Sequence, residues 1–118
     1  MNRKLLLLSL TAALALLVLV AAPRPNQAQA LACFCPAGCN GITGTNGNDV
    51  LTGTAGCDCI IAGAGDDIVD GAGGNDYICG QDGDDTLDGG SGDDRIDGGN
   101  GTDNCSGGTG TNFLINCP

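Results

Sequence analysis

A nine-residue repeat governs most of this 118-residue chain. Written in rows of nine, positions 44–115 form eight rows without an insertion. The fourth column is glycine in all eight rows, and the eighth is aliphatic in seven, with Cys105 the exception. The sixth column is aspartate in seven rows and Asn112 in the last. A disordered acidic segment would not keep three columns in phase through every row, so the pattern predicts a repeat fold.

Each column has a physical reason. Glycine in columns one and four permits the positive φ angles of a tight turn. The three residues after the column-six aspartate make a minimal strand whose middle side chain points inward, while flanking residues such as Thr86, Asp88, Arg95 and Asp97 face water. Two rows then make one coil of about 18 residues, and four coils stack about 4.8 Å apart.

The charge balance predicts which partners such a chain attracts. All 14 acidic residues are aspartates, and the chain has no histidine. Three of its four basic residues lie within the first 24 positions. Beyond them Arg95 is the single cation, which leaves a net charge of −13. Such a surface repels nucleic acid and anionic lipid, so its expected partners are cations.

The segment 1–30 is predicted to be a secretory signal peptide. Arg3 and Lys4 precede an almost wholly apolar run at 5–22, and residues 28–30 read Ala-Gln-Ala, a cleavage signal. A retained transmembrane anchor is the main alternative, although no basic cluster follows the run. A lipoprotein acylated at Cys33 is a weaker one, because it would leave an odd number of thiols. The expected location is secreted and extracellular.

The cysteines predict disulfides. All eight follow the predicted cleavage point, and an even number in a short exported chain indicates a disulfide framework. A zinc site is the rival interpretation. It lacks support because the Cys-x-Cys pairs do not have the usual C-x2-C spacing and no histidine is present.

The repeat resembles that of a known family. Residues 89–97 read Gly-Gly-Ser-Gly-Asp-Asp-Arg-Ile-Asp and match the pattern G-G-x-G-x-D-x-U-x at every fixed position. With eight copies filling most of the predicted mature chain, the protein resembles the repeats-in-toxin (RTX), or haemolysin-type, calcium-binding proteins. The resemblance implies an all-β fold, a right-handed parallel β-roll (β-solenoid) of nine-residue repeats with two repeats per coil, and calcium sites completed by turn carbonyls.

The predicted calcium ligands are the column-six aspartates. Turns on one edge recur every second row, so each site should pair the aspartates of alternate rows, as in Asp49 with Asp67. Five such pairs predict about five Ca²⁺ ions, with Asp94 and Asn112 as a weaker sixth pair. An EF-hand is excluded because no glutamate closes a 12-residue loop. The residues are Asp49, Asp58, Asp67, Asp76, Asp85, Asp94 and Asp103.

The ends depart from the repeat. Residues 35–43 form a degenerate ninth row with Asn40 in column six, the column of the predicted calcium ligands (the metal column). Asn40 and Asn112 are therefore predicted to belong to capping rows. In this register Cys39 and Cys57 share column five, one coil apart, within expected disulfide reach. The predicted organisation is a signal peptide at 1–30, a cysteine-rich cap at 31–43, repeats at 44–115 and an end segment at 116–118.

No catalytic constellation is visible. Paired carboxylates such as Asp66-Asp67 and Asp84-Asp85 suggest a glycosidase, but they recur with the repeat, so metal binding accounts for them. The expected protein is therefore not an enzyme but a secreted calcium-binding protein that folds on Ca²⁺, as a structural or adhesive extracellular module. The alternatives are an ice-binding β-solenoid, which the irregular columns seven and nine disfavour, and a stand-alone relative of a toxin or protease repeat module.

Overall fold

The computed structural model describes residues 33–118, which form nine short strands. The predicted signal peptide at 1–30 lies outside these residues. Within 33–118 there is no helix, and hence none able to span a membrane. The strands are β1 (Asn40–Thr43), β2 (Val50–Thr52), β3 (Asp58–Ala64), β4 (Ile68–Asp70), β5 (Tyr77–Asp82), β6 (Thr86–Asp88), β7 (Arg95–Asn100), β8 (Asn104–Ser106) and β9 (Phe113–Ile115).

The strands alternate between two parallel sheets. One sheet has the order β1-β3-β5-β7-β9 and the other β2-β4-β6-β8. Each residue pairs with the residue two rows later, as in Ile60 with Ile78 and Ile78 with Ile96. This confirms the predicted all-β parallel solenoid with two rows per coil.

The core lies between the two sheets and consists mainly of column-eight side chains, which successive rows contribute alternately from one sheet and the other. Ile60, Val69, Ile78, Leu87 and Ile96 are buried, as the repeat predicts. The end rows are less covered because no further coil of residues 33–118 stacks on them: Leu51 and Cys105 are only partly buried against the core, and Leu114 is 40% exposed. Because each row contributes only one regular inward side chain to this thin core, every strand depends on its neighbours in the stack.

The strands of the larger sheet are longer than the predicted three residues. Strands β3, β5 and β7 continue into columns one to three of the next row, where Gly63 pairs with Gln81 and Gln81 with Gly99. The turn backbone at this edge keeps hydrogen bonding to the next coil, as in the 2.9 Å bond from Gly83 N to Asn100 O. The edge is therefore held by backbone ladders as well as by side chains.

The prediction that columns seven and nine face water is wrong for part of the larger sheet. Cys59, Cys79 and Asp97 are buried there. Two disulfides, Cys33–Cys79 and Cys35–Cys59, tie the segment 33–39 to this sheet. At the other end, the Asn116 side chain donates a 2.8 Å hydrogen bond to Asp97 Oδ1. The chain ends thus cover a face that the repeat alone leaves exposed.

Three disulfides join the N-terminal segment to the first half of the solenoid, and one lies at its C-terminal end. The predicted Cys39–Cys57 bond is present, with a Cα–Cα distance of 4.8 Å. A fourth bond joins Cys105 to Cys117, so none of the cysteines in the described region is free. Residues 80–104 contain no cysteine, so the coils between Cys79 and Cys105 carry no covalent cross-link of their own.

Candidate metal centres

The column-six side chains form a ladder on each edge of the solenoid. Each backbone N–H in the ladder donates to the side-chain Oδ1 of the residue 18 positions later, at 2.7–2.9 Å. The predicted pairs are therefore neighbours in the stack, and Asn112 ends one ladder by accepting from Asp94 N. One ladder comprises Asp49, Asp67, Asp85 and Asp103, and the other Asp58, Asp76, Asp94 and Asn112.

The second carboxylate oxygen has no partner in five of these residues. The Oδ2 atoms are buried and find no hydrogen-bond donor within residues 33–118. The residues themselves are at most 4% exposed. A buried carboxylate oxygen without a donor or a cation is strongly disfavoured. The free oxygens of Asp67, Asp76, Asp85, Asp94 and Asp103 are therefore candidate ligands for a cation.

Backbone carbonyls lie beside the free oxygens of Asp76, Asp85 and Asp103, in space that column-one glycine leaves open. In the row of Asp67, column one is Ala62 instead. A Cβ on Gly71 would lie 2.7 Å from Asp76 Oδ2 and equally 2.7 Å from the Gly89 carbonyl oxygen of the next coil. A Cβ on Gly98 would lie 2.5 Å from Asp103 Oδ2. Column-one glycine thus allows a carboxylate and a carbonyl from successive coils to approach the same point.

The oxygen donors fit calcium. In the described region no three histidine, cysteine, aspartate or glutamate side chains converge on a metal position, so backbone carbonyls have to complete any site. Calcium accepts six to eight oxygens from carboxylates and carbonyls in flexible geometry, whereas zinc prefers sulfur and nitrogen. The carboxylate oxygen of Asp76 and the carbonyl oxygen of Gly89 are the types of ligand that calcium prefers.

Burial and crowding disfavour the charged form of the mid-stack carboxylates. Burial raises the pKa of Asp76 to about 6, and the neighbouring carboxylates of Asp94 and Asp58 act in the same direction against the hydrogen bond from Asp58 N. Burial likewise raises the pKa of Asp85 and of Asp94, again with neighbouring carboxylates contributing. A divalent cation would relieve both effects.

Asp58 differs from the mid-stack aspartates. Burial acts to raise the pKa of its carboxyl, but hydrogen bonds from the Thr54 backbone, the Asn40 amide and the Thr54 hydroxyl hold that pKa below its ordinary value. Thr54 N donates to Asp58 Oδ2 at 2.6 Å, and Thr54 Oγ1 does so at 3.0 Å. Asp49 has the same arrangement with Thr45, at 2.6 and 2.9 Å. Threonine in column two was the signal for this difference in the sequence.

A second ladder, which the repeat pattern did not predict, runs along column five. Asp84 N donates to Asp66 Oδ1 at 3.0 Å, and Thr102 N donates to Asp84 Oδ1 at 2.8 Å. Asn75 and Asp93 do the same on the other edge, accepting from the residue 18 positions later. Each Asp-Asp pair thus has one exposed residue that joins coils and one buried residue in the metal column.

A parallel β-solenoid with unpartnered carboxylate oxygens on both edges is a metal-binding repeat protein. A family model described as the RTX calcium-binding nonapeptide repeat (4 copies) matches residues 43–78 and 80–114. The chain belongs to this family, whose repeats bind calcium and are structural rather than catalytic units. Neither the curated proteins nor the solved structures contain a match to it.

Proposed function

We propose that this is an exported protein whose repeat domain folds on binding calcium and serves as a structural or adhesive module outside the cell. The observation that carries the proposal is the set of five buried Oδ2 atoms without a donor. They recur at the same position of the repeat, so they reflect a requirement of the fold and not an accident of one turn.

Calcium would act as the cross-link between coils. Asp67, Asp76, Asp85, Asp94 and Asp103 would hold the ions, together with carbonyls of the turns. Calcium supplies two positive charges per site, which offset the −13 charge expected after removal of the signal peptide. The ordered ladder keeps each carboxylate aimed at its site, because Oδ1 is held by a backbone N–H and only Oδ2 remains free.

A structural role is favoured over catalysis by how the acidic residues are used. The exposed column-five aspartates bridge coils, and the buried column-six aspartates line the proposed ion sites. Column seven, one of the two outward columns of the smaller sheet, is Val50, Ile68, Thr86 and Asn104, all exposed. This mixed column has no repeated threonine, so it does not favour an ice-binding face. It does offer Val50, 76% exposed, and Ile68, 54% exposed, to a partner surface.

Calorimetric titration of the mature, oxidised protein with calcium tests the proposal. We expect cooperative binding of several ions, because each site joins two coils of a quasi-one-dimensional stack. Magnesium at the same ionic strength is the control and should bind far more weakly, since it prefers a tighter octahedron and retains its waters. Absence of calcium binding, or equal binding of the two cations, would contradict the proposal.

Export makes a separate prediction about the covalent structure. The mature protein should begin near Leu31 and contain no free thiol, because residues 28–30 read Ala-Gln-Ala and all eight cysteines pair in the structure. Intact-mass measurement before and after treatment with a thiol-alkylating reagent checks both points. A retained Met1, or alkylation of several cysteines in unreduced material, would show this part of the proposal to be wrong.

A further inference from the structure

The solenoid contains two kinds of turn, although the repeat pattern runs through both. In rows three to eight, columns two and four adopt positive φ, at 69° to 115° and 103° to 137° respectively. In rows one and two they do not: Thr45 and Thr54 occupy column two, and Gly47 and Gly56 occupy column four, outside the left-handed region. Ala72 and Gln81 adopt positive φ although they are not glycine, so the left-handed turn is imposed by its surroundings.

The two kinds of turn treat the metal-column carboxylate differently. In the threonine turns, Asp49 Oδ2 and Asp58 Oδ2 each accept from the backbone N and the hydroxyl of the threonine four residues earlier. The threonine hydroxyl also accepts from the column-four N–H, at 3.2 Å in both turns. In the left-handed turns that donor pair is missing, and Oδ2 of rows three to seven has no donor in the described part of the chain.

We infer that calcium binding begins at the third row, and that rows one and two form a metal-independent end of the solenoid. The inference rests on the proposed calcium binding and narrows it. In the first two rows the threonine donates two hydrogen bonds to the carboxylate Oδ2, so this oxygen does not need a cation. Asp49 and Asp58 are therefore structural residues, and the left-handed turns that follow provide the calcium sites.

The number of ions follows from this assignment. A full calcium site needs two left-handed turns on the same edge, one coil apart, each with an aspartate in column six. Three such pairs exist: Asp67 with Asp85, Asp76 with Asp94, and Asp85 with Asp103. The sequence pattern alone predicts about five, because it counts Asp49 with Asp67 and Asp58 with Asp76 as equal to the rest.

The metal-independent end is also the cross-linked end. Cys35–Cys59 and Cys39–Cys57 join the cap to row two, and Cys33–Cys79 reaches row four. Asn40 adds a 2.9 Å hydrogen bond from its amide to Asp58 Oδ1. Because forming the first coil of a repeat stack is the costly step, a preformed end offers a template on which the calcium-dependent coils can add.

Counting bound ions in three variants tests the inference. Native mass spectrometry of the mature, oxidised protein with calcium alone should find three tightly held ions. Asp76→Asn should lose one, because it breaks the pair with Asp94. Asp58→Asn, on the same edge and equally buried, should keep all three. Asp49→Asn, in a partly exposed turn at the end of the stack, should also keep three and guards against misfolding of the buried variant.

The outcomes separate the inference from the proposal beneath it. Loss of an ion in Asp49→Asn, or in a folded Asp58→Asn, would overturn the inference and leave calcium binding intact. Five tightly held ions in the unaltered protein, or three in Asp76→Asn, would overturn it as well. An unaltered protein that holds no calcium would overturn the proposed function itself.

Discussion

Removal of calcium with a chelator should abolish the protection of residues 80–104 against amide hydrogen exchange, while residues 40–61 stay ordered and protected. We expect amide hydrogen exchange in the released stretch to accelerate at least about a thousandfold when free calcium beforehand was about 1,000 times its Kd, because loss of even one ion removes about 4 kcal/mol. The stretch contains Asp85, Asp94 and Asp103, whose Oδ2 atoms have no donor from the described chain. It contains no cysteine, so no disulfide holds it when the ions leave.

The protected segment has the opposite properties. Its carboxylates at Asp49 and Asp58 are satisfied by threonine, and two disulfides tie it to the cap. Exchange followed by mass spectrometry, with magnesium replacing calcium as the control, gives both segments in one experiment. Uniform exchange of the two segments would mean that calcium dependence is spread along the whole stack. Unchanged exchange at 80–104 would mean that folding does not need the ion.

Gly92→Ala should destabilise the calcium-loaded protein by about 3 kcal/mol, or roughly 12–24 °C in Tm. Gly92 has φ +130°, which alanine rarely adopts, and its Cβ would collide with the Gly74 carbonyl oxygen of the preceding coil. That contact is between two backbones near the middle of the stack, so neither side can rotate away. A central defect also divides the cooperative unit.

Gly47→Ala is the matched control. Gly47 occupies the same column, but its φ lies outside the left-handed region, and an added Cβ would meet only Thr45 Oγ1, at 3.9 Å. We expect a change within about 1 kcal/mol, which includes a small gain from the less flexible unfolded chain. Thermal unfolding of both variants at the same calcium concentration compares them. Equal destabilisation would show that the two kinds of turn behave alike.

The repeat pattern predicted the repeated parts of the structure well. Column eight was expected to form the core, and Ile60, Val69, Ile78, Leu87 and Ile96 are buried. The spacing of two rows per coil was expected to set the strand pairing, and it does in both sheets. These features depend on local rules that recur with every row, such as alternation along a strand and glycine at turns. The eight rows of this chain therefore repeat the same evidence eight times.

The departures from the pattern could not be predicted in the same way. Of four disulfides, Cys39–Cys57 was predictable because both cysteines share a column, whereas Cys33 lies outside the repeat and its pairing with Cys79 depends on the path of the cap. Burial of Asp97 depends on Asn116, which follows the last row. No local rule relates such residues, because their contacts exist only after the ends fold back onto the sheet.

By itself, therefore, the sequence determined the all-β repeat fold, the coil length, the core column and the column of carboxylates. Only the tertiary structure decided which carboxylates have a free oxygen. In the sequence Asp58 and Asp76 occupy the same column, one coil apart. In the folded chain Thr54 donates two hydrogen bonds to Oδ2 of Asp58. The turn at Ala72 is left-handed instead, and Oδ2 of Asp76 is buried with no hydrogen-bond donor among residues 33–118. The physical reason is that a carboxylate's need for a cation depends on the donors that the surrounding backbone brings to it, and these are known only once the turns have formed.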